Sequence, residues 1–310
     1  MASLAGSALV GAETILALTP IAIKKTPLDP VSALFSRTLS SAVLGYLLAG
    51  PSGIPSVQEL AGSGALGATN LIHISSSYEA FRHLPAGQAM SLLYTYPLWN
   101  LIFMSFFGGE KISIFSYGFI GLATVGAFLL NMDPGVASPT ALVKSANPSW
   151  GILMGLLMAL SESTMVVLLK LIGWRDPAKS VFIVNSSASI WLAGILFIQE
   201  IVGSTANLFG TAPASGKWQG TWWDAAILTL FHSVTLFSGY WLRYYAVPRL
   251  STVTYAMLSY AGLIASYLFG IFFVKETPGW ISIAGATLII ISGLFLQIYK
   301  MPGSEDNPKE

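Results

Sequence analysis

The chain has 310 residues, of which 54% are hydrophobic and only 9% are charged, and its formal net charge is +1. A soluble domain carries roughly 25% charged residues, so this composition excludes a water-soluble globular fold. The near-neutral balance gives no reason to expect a nucleic-acid partner. Because the sequence contains no cysteine, disulfides, thiolate metal sites and a cysteine nucleophile are excluded.

Long apolar runs follow one another along the chain, and turn-forming segments such as Gly50-Pro51 separate them. A spanning helix needs about 20 apolar residues, and only helices and closed barrels satisfy their backbone groups in lipid. No basic stretch precedes the first run, which is therefore predicted to be a span and not a cleaved leader. The runs predict an all-α integral membrane protein with ten transmembrane helices, at 3–23, 30–50, 62–83, 86–107, 115–131, 150–172, 181–203, 223–245, 251–274 and 279–299.

The two halves of the chain carry similar features in the same order. Gly6 precedes Glu13 by seven residues in span 1, and Gly155 precedes Glu162 by seven residues in span 6. Polar residues also recur every three positions in one helix of each half. These two triplets are Asn70, His73 and Ser76 in span 3, and Thr229, His232 and Thr235 in span 8.

This order predicts a duplication, with a first five-helix repeat at 1–135, an inter-repeat loop at 136–149, a second five-helix repeat at 150–300 and a polar tail at 301–310. Because five is an odd number, the second repeat must be inverted relative to the first. Inverted repeats are typical of secondary transporters, whose binding site lies near the bilayer midplane between the repeats.

Tyr96-Pro97 and Gly109-Glu110 near the end of span 4 have a counterpart in Ser259-Tyr260-Ala261 and Lys275-Glu276, and Arg37 lies early in span 2. With these features the sequence resembles the drug/metabolite transporter superfamily, in particular its EamA-like branch. The resemblance implies ten helices in two inverted repeats, a central cavity lined by spans 1–4 and 6–9, and both termini in the cytoplasm. It also implies export or exchange of small metabolites.

Four ionisable residues lie near the middle of their spans: Glu13, His73, Glu162 and His232. A charged side chain at mid-helix costs roughly 2.5–3.5 kcal/mol. Such residues either join helices by hydrogen bonds or form a functional site, and their matched positions in the two halves favour the site. We predict a substrate- or proton-binding site made of Glu13, Asn70, His73, Glu162, Thr229 and His232, with Tyr96 and Tyr260 in its wall.

Other charged residues lie nearer to the span ends. Arg37 and Arg243 either bind a substrate carboxylate or extend to the membrane interface. Glu110 and Glu276 are interpreted as capping or gating residues, and Glu79 and Arg82 are close enough on one helix to form a pair.

The predicted function is secondary active transport, by export or exchange, of a small polar metabolite such as an amino acid or amine. Alternating access and coupling to protons form the mechanistic hypothesis, in which Glu13 or Glu162 carries a proton or a cationic group. The expected location is the plasma (inner) membrane, with an organelle membrane as the alternative. No cofactor is expected, and the oligomeric state stays open.

Three other readings compete with this one, and the third, a receptor or scaffold without transport, is disfavoured by the inverted duplication. The first is a metabolite facilitator or exchanger that uses no proton. The second is an intramembrane enzyme with a metal held by the glutamates and histidines, although these lie singly on four helices and form no H-E-x-x-H pair. A different inverted fold would require broken helices, which the scattered glycines and prolines of spans 4 and 9 do not predict.

Overall fold

The computed structural model of the protein describes residues 2–19, 30–84, 86–131, 147–202, 221–269, 271–272 and 279–298. These residues form helices joined by short turns, and no strand occurs among them. The helices are α1 (Ala2–Leu16), α2 (Pro30–Ala49), α3 (Leu60–His83), α4 (Ala86–Leu93), α5 (Tyr96–Phe107), α6 (Ile114–Asn131), α7 (Pro148–Ile172), α8 (Pro177–Val202), α9 (Trp222–Phe231), α10 (Phe237–Ala246), α11 (Thr252–Ser259), α12 (Ala261–Phe269) and α13 (Trp280–Ile298).

A helix occurs at each of the ten predicted spans within the described residues. Five of the helical segments are long and apolar enough to cross a membrane, and they are Ser32–Gly53, Pro148–Ile172, Pro177–Ile198, Trp222–Arg249 and Thr252–Phe269. Shorter apolar helices occupy Ser3–Leu16, Ile114–Leu130 and Trp280–Leu296. The predicted end of span 1 after residue 19, most of the inter-repeat loop, the Lys275-Glu276 pair and the tail at 301–310 lie outside the described residues.

Spans 4 and 9 are each broken near the middle, which the sequence analysis did not predict. The first break lies at Tyr94 and Thr95, between α4 and α5, and the second lies at Tyr260, between α11 and α12. Pro97 explains the first break, because its ring excludes the helical hydrogen bond to residue 93. Gly262 follows the second break and weakens the helix there. One proline or glycine is therefore enough to interrupt a helix where tertiary packing stabilises the interrupted conformation.

Five pairs of the described helices form the body of the protein: α3 with α7, α2 with α8, α3 with α8, α1 with α10, and α6 with α13. The last pair is packed closely, because Gly126 and Gly285 face each other. A Cβ atom added to Gly285 would lie 2.5 Å from the carbonyl oxygen of Gly126 and 2.5 Å from the amide nitrogen of Leu130. Small residues that let two backbones approach are typical of helix packing in membranes.

The outer surface of the helices is apolar. Large side chains such as Leu47, Phe106, Ile190 and Phe197 are exposed. A contiguous apolar surface of this kind is unfavourable in water and suits lipid. Together with the long apolar helices, it identifies an integral membrane protein.

Candidate functional site

Arg243, on α10, lies at the centre of a buried ionic cluster. Its Nε donates a hydrogen bond to Glu13 Oε1 at 2.9 Å, and its Nη2 donates to the same oxygen at 2.6 Å. Its Nη1 donates to Glu162 Oε1. One guanidinium therefore joins the two glutamates that the sequence pattern had paired, and all three side chains are buried. We call Glu13, Arg243 and Glu162 the ionic trio.

The trio is surrounded by aromatic rings. The guanidinium carbon of Arg243 lies 5.9 Å from the ring centre of Tyr96 and 5.6 Å from that of Tyr240. These distances are within the range of cation–π attraction. Tyr96 is the residue just before Pro97, so the helix break that Pro97 causes also fixes where this tyrosine enters the site.

His73, on α3, contacts the trio at Glu162. Its Nδ1 donates to the carbonyl oxygen of Met158 at 3.1 Å and lies 3.5 Å from Glu162 Oε2. That carboxylate oxygen is buried and accepts no hydrogen bond within the described residues. A buried acceptor without a donor is costly, so Glu162 Oε2 has unused capacity to bind a proton or a donor group.

These residues line a pocket that runs from the trio towards the N-terminal end of α7. Its cavity volume is about 70 Å³, which holds only a few water molecules. Its charged and polar wall includes Glu13, Arg37, His73, Ser77, Tyr94, Tyr96, Glu162, Tyr240 and Arg243. Its apolar wall includes Leu16, Ala17, Phe81, Met90, Leu93 and Met158.

The structure brings four of the predicted site residues together in this pocket: Glu13, His73, Glu162 and Tyr96. Two others contact α2, where Ser36 Oγ lies 3.0 Å from Thr229 Oγ1 and 3.1 Å from His232 Nδ1. Neither Thr229 nor His232 lines the pocket. Of the two predicted histidines, His73 lines the pocket and His232 contacts Ser36 on α2.

The remaining two predicted residues join helices elsewhere. Asn70 Nδ2 lies 3.5 Å from Asn185 Oδ1, between α3 and α8. The Tyr260 hydroxyl lies 2.7 Å from Thr124 Oγ1 on α6. The Tyr260 ring stacks on Tyr94 with centres 6.0 Å apart, so it supports the pocket wall from behind without lining it.

Arg243 and Tyr240 also line the pocket, and the sequence analysis included neither of them in the predicted site. The option that Arg243 extends to the interface is wrong, because the side chain is buried and bound by two carboxylates. The polar triplet of span 8, extended along the same helix face, forms a polar stripe that reaches Gly239 and then Arg243, four residues later. However, the helix forms a π turn at His232–Leu236. The extra residue of a π turn offsets the helix faces before and after it, so His232 and Arg243 point to different neighbours.

A second polar cluster lies on the other side of the trio. Lys170 Nζ donates to Glu110 Oε1 at 3.2 Å and to Thr252 Oγ1 at 2.7 Å. Lys170 follows Glu162 by eight residues on α7, which is about 12 Å along a helix, in the direction away from the pocket. It joins the ends of α5, α7 and α11. We call these three residues the lysine lock.

The sequence analysis also placed Glu79 and Arg82 close enough on one helix to form a pair. Glu79 Oε2 accepts a hydrogen bond from Trp150 Nε1 at 3.0 Å and lies 3.5 Å from His83 Nε2. The side chain of Arg82 lies outside the described residues. Among the residues that the structure describes, no three histidine, aspartate or glutamate side chains form a group that could hold a metal ion.

Residues 4–132 match the model of the EamA-like transporter family. This match confirms, for that part of the chain, the resemblance to the drug/metabolite transporter superfamily. It includes Glu13, Arg37, His73 and Tyr96, whereas Met158, Glu162, Tyr240 and Arg243 lie beyond it. No curated protein sequence matches the chain significantly.

Twenty-eight chains of solved structures are similar to this one. One of them, described only as "Crystal structure of protein", superposes with a TM-score of 0.67 over 96% of this chain and 97% of that chain, at 17% sequence identity. At this identity the likeness concerns the fold alone. It extends the fold similarity over both halves of the chain, beyond the segment that the family model matches.

Proposed function

We propose that this protein is a secondary transporter that moves a small polar metabolite through the pocket at the ionic trio by alternating access. The observation that carries the proposal is the sharing of Arg243 between Glu13 and Glu162, inside a bundle of apolar helices. Ionisable residues within a membrane bundle are costly and mark substrate or ion pathways. The match to a transporter family agrees with this function.

The helix contacts support two inverted repeats, with α1 equivalent to α7, α2 to α8, α3 to α9 and α10, and α6 to α13. Under this assignment the contact of α1 with α10 is equivalent to that of α7 with α3. The α2–α8 and α6–α13 pairs each join an element to its own counterpart. The helix breaks agree as well, because Tyr94 and Tyr260 are as far apart in sequence as Glu110 and Glu276. Two such repeats give a carrier two conformations of similar energy.

The charges of the trio favour coupling to a proton or to a cationic group. Two carboxylates and one guanidinium leave one net negative charge on the trio when all three groups are ionised; Arg37, in the same pocket wall, binds Tyr240 and forms no ion pair with the trio within the described residues. A buried net charge is unfavourable in a low-dielectric interior. A proton on Glu162 Oε2, or an ammonium group beside it, would remove this charge, and that oxygen accepts no hydrogen bond among the described residues.

The position of the lysine lock supports alternating access. The pocket reaches from the trio towards half-buried residues such as Leu16 and Thr19, at the end of α1. Lys170, Glu110 and Thr252 connect three helices at the opposite end. We infer that transport requires these contacts to separate, so that the pocket becomes accessible from the second side.

The metal-enzyme alternative is disfavoured by the chemistry of the trio. A divalent cation would have to lie beside the guanidinium of Arg243, which already occupies the carboxylates. Like charges repel at this distance. The proton-free facilitator is the more serious alternative, and the transport experiment distinguishes it.

The test is transport by the purified protein in liposomes that contain a pH-sensitive dye, with pools of amino acids, amines, nucleosides and sugars. We expect one pool to drive a proton flux, and we expect Glu13→Gln and Glu162→Gln each to lower that flux at least tenfold. Asp224→Asn is the control, since Asp224 lies in an exposed capping box at the start of α9.

Each result has a defined meaning. Substrate movement without proton flux would keep the carrier and remove the coupling. Movement of no pool by a folded protein would contradict the proposed function. Equal flux in Glu13→Gln, Glu162→Gln and the control would remove the trio from the mechanism.

A further inference from the structure

We propose that Arg37 is the binding site for an anionic group of the transported solute, so that the pocket recognises a small metabolite with a carboxylate. This inference rests on the proposed function and extends it to the class of substrate.

Arg37, on α2, is a buried cation that faces the pocket. Its residue is only 4% exposed, and it belongs to the pocket wall. Its Nη2 donates to the neutral hydroxyl of Tyr240 at 2.8 Å, and its guanidinium carbon lies 5.5 Å from the centre of that ring. Within the described residues, no carboxylate lies within ion-pair distance of Arg37.

The two arginines of the pocket therefore differ in their partners. Both lie over the ring of Tyr240, at 5.5 Å for Arg37 and 5.6 Å for Arg243. Arg243 is bound by two glutamate carboxylates, whereas among the described residues Arg37 donates only to a phenol oxygen and lies over its ring. A buried charge that lacks a counter-ion is strongly unfavourable. A solute carboxylate would supply that counter-ion, and the planar guanidinium matches its two oxygens.

The rest of the pocket narrows the class of solute further. The trio offers Glu162 Oε2 to a proton or an ammonium group. Apolar side chains of Phe81, Met90 and Leu93 form the neighbouring wall. A solute that fits this pocket has a carboxylate at Arg37, a positive group at the trio and an apolar substituent at this wall. These features are those of a zwitterion of amino-acid type. The pocket is too small for such a solute in the present conformation, so we expect binding to widen it.

The test compares two solute pools that differ in one group. One pool contains leucine, methionine and phenylalanine, and the other contains the amines that lack only their carboxylates. Binding is measured as the concentration that half-saturates the rise in melting temperature of the purified protein, and flux is measured in liposomes. We expect the unmodified protein to bind the carboxylate pool at least tenfold more tightly, and Arg37→Gln to abolish that preference.

Arg249→Gln is the matched control. Arg249 also lies over a tyrosine, with its guanidinium carbon 4.0 Å from the centre of the Tyr245 ring, but it does not line the pocket. We expect this variant to keep the tenfold preference. Should Arg37→Gln not fold, Arg37→Lys serves in its place, since it keeps the charge but loses the paired donors. It should reduce the preference without abolishing it.

The outcomes separate this inference from the proposed function. A carboxylate preference that Arg37→Gln removes, without flux in liposomes, would establish the anion site and contradict the carrier. Flux of amines, or of any other pool, that Arg37→Gln leaves unchanged would keep the carrier and overturn the anion site. Failure of the unmodified protein to prefer the carboxylate pool would also overturn it.

Discussion

The α3–α7 and α1–α10 helix pairs, which are equivalent in the proposed repeats, are held together by different polar contacts. The α3–α7 pair is bonded near both ends: Trp150 Nε1 donates to Glu79 Oε2 at one end, and Trp174 Nε1 donates to Glu59 Oε1 at 2.7 Å at the other. In the α1–α10 pair, the described polar contacts run through Glu13 and Arg243 in the buried middle. The first pair has these end contacts in addition to the His73–Met158 hydrogen bond at the pocket, so it is held also where a solute need not pass. The second is held by the ions that a solute would contact.

This difference indicates which parts move. A tryptophan–carboxylate contact near the membrane surface survives changes in the pocket, so α3 and α7 are expected to remain together during transport. The contact between α1 and α10 depends on the trio, whose hydrogen bonds a bound solute or proton would exchange. We therefore expect the α1–α10 contact to respond to substrate and the α3–α7 contact to stay constant.

The change with the largest expected effect is Arg243→Gln, which removes the central fastening of α1 and α10. It leaves two buried carboxylates without their cation, and breaking a buried ion pair in this way costs about 3–5 kcal/mol. Thermal unfolding of the purified variant should show a melting temperature several degrees lower, while Arg249→Gln should stay close to the unmodified protein. An Arg243→Gln variant of unchanged stability would mean that the trio does not fasten this pair.

The second prediction concerns the lysine lock and has a smaller effect on stability. Lys170→Met removes the hydrogen bonds to Glu110 and Thr252, and we expect the lock side of the bundle to open more often. Because the natural chain lacks cysteine, Met165→Cys provides a single label site. Met165 is fully buried on α7 between Glu162 and Lys170.

Labelling of Met165→Cys by a water-soluble thiol reagent should be several times faster when it is combined with Lys170→Met. Met158→Cys, which lies on the pocket side of the trio, is the comparison position. Equal labelling rates at Met165→Cys with and without the lock would contradict the gating role of Lys170.

The smallest expected effect is that of Glu59→Gln at one end of the α3–α7 pair. The hydrogen bond from Lys179, followed by that from the Ser56 amide, lowers the pKa of Glu59 from 4.5 to about 2. A carboxylate with a lowered pKa stabilises the folded state above its unfolded pKa, and this contribution is lost as the pH falls from about 4.5 to about 2. Exposed ion pairs contribute less than about 1 kcal/mol.

The melting temperature of Glu59→Gln should therefore lie slightly below that of the unmodified protein at pH 7, and the difference should shrink at pH 3. The transport rate should stay the same, since Glu59 lies outside the pocket. A difference that grows as the pH falls would show that the Glu59 contacts to Trp174 and Lys179 do not stabilise this end of the pair.

The amino-acid sequence by itself determined the helical membrane architecture, because length and apolar composition leave few other ways to satisfy a backbone in lipid. It also identified Glu13 and Glu162 as a matched pair, since charges in apolar helices are rare enough for their spacing to be informative. Only the tertiary structure decided their shared partner. Arg243 is 230 residues from Glu13 along the chain, and the π turn before it offsets the helix face that the polar stripe had predicted. Because of the same turn, His232 contacts Ser36 and does not line the pocket. The helix breaks at Tyr94 and Tyr260 place Tyr96 in the pocket wall and Tyr260 outside it. Which side chains reach the pocket depends on which distant helices pack together, and the periodicity of one segment does not contain that information.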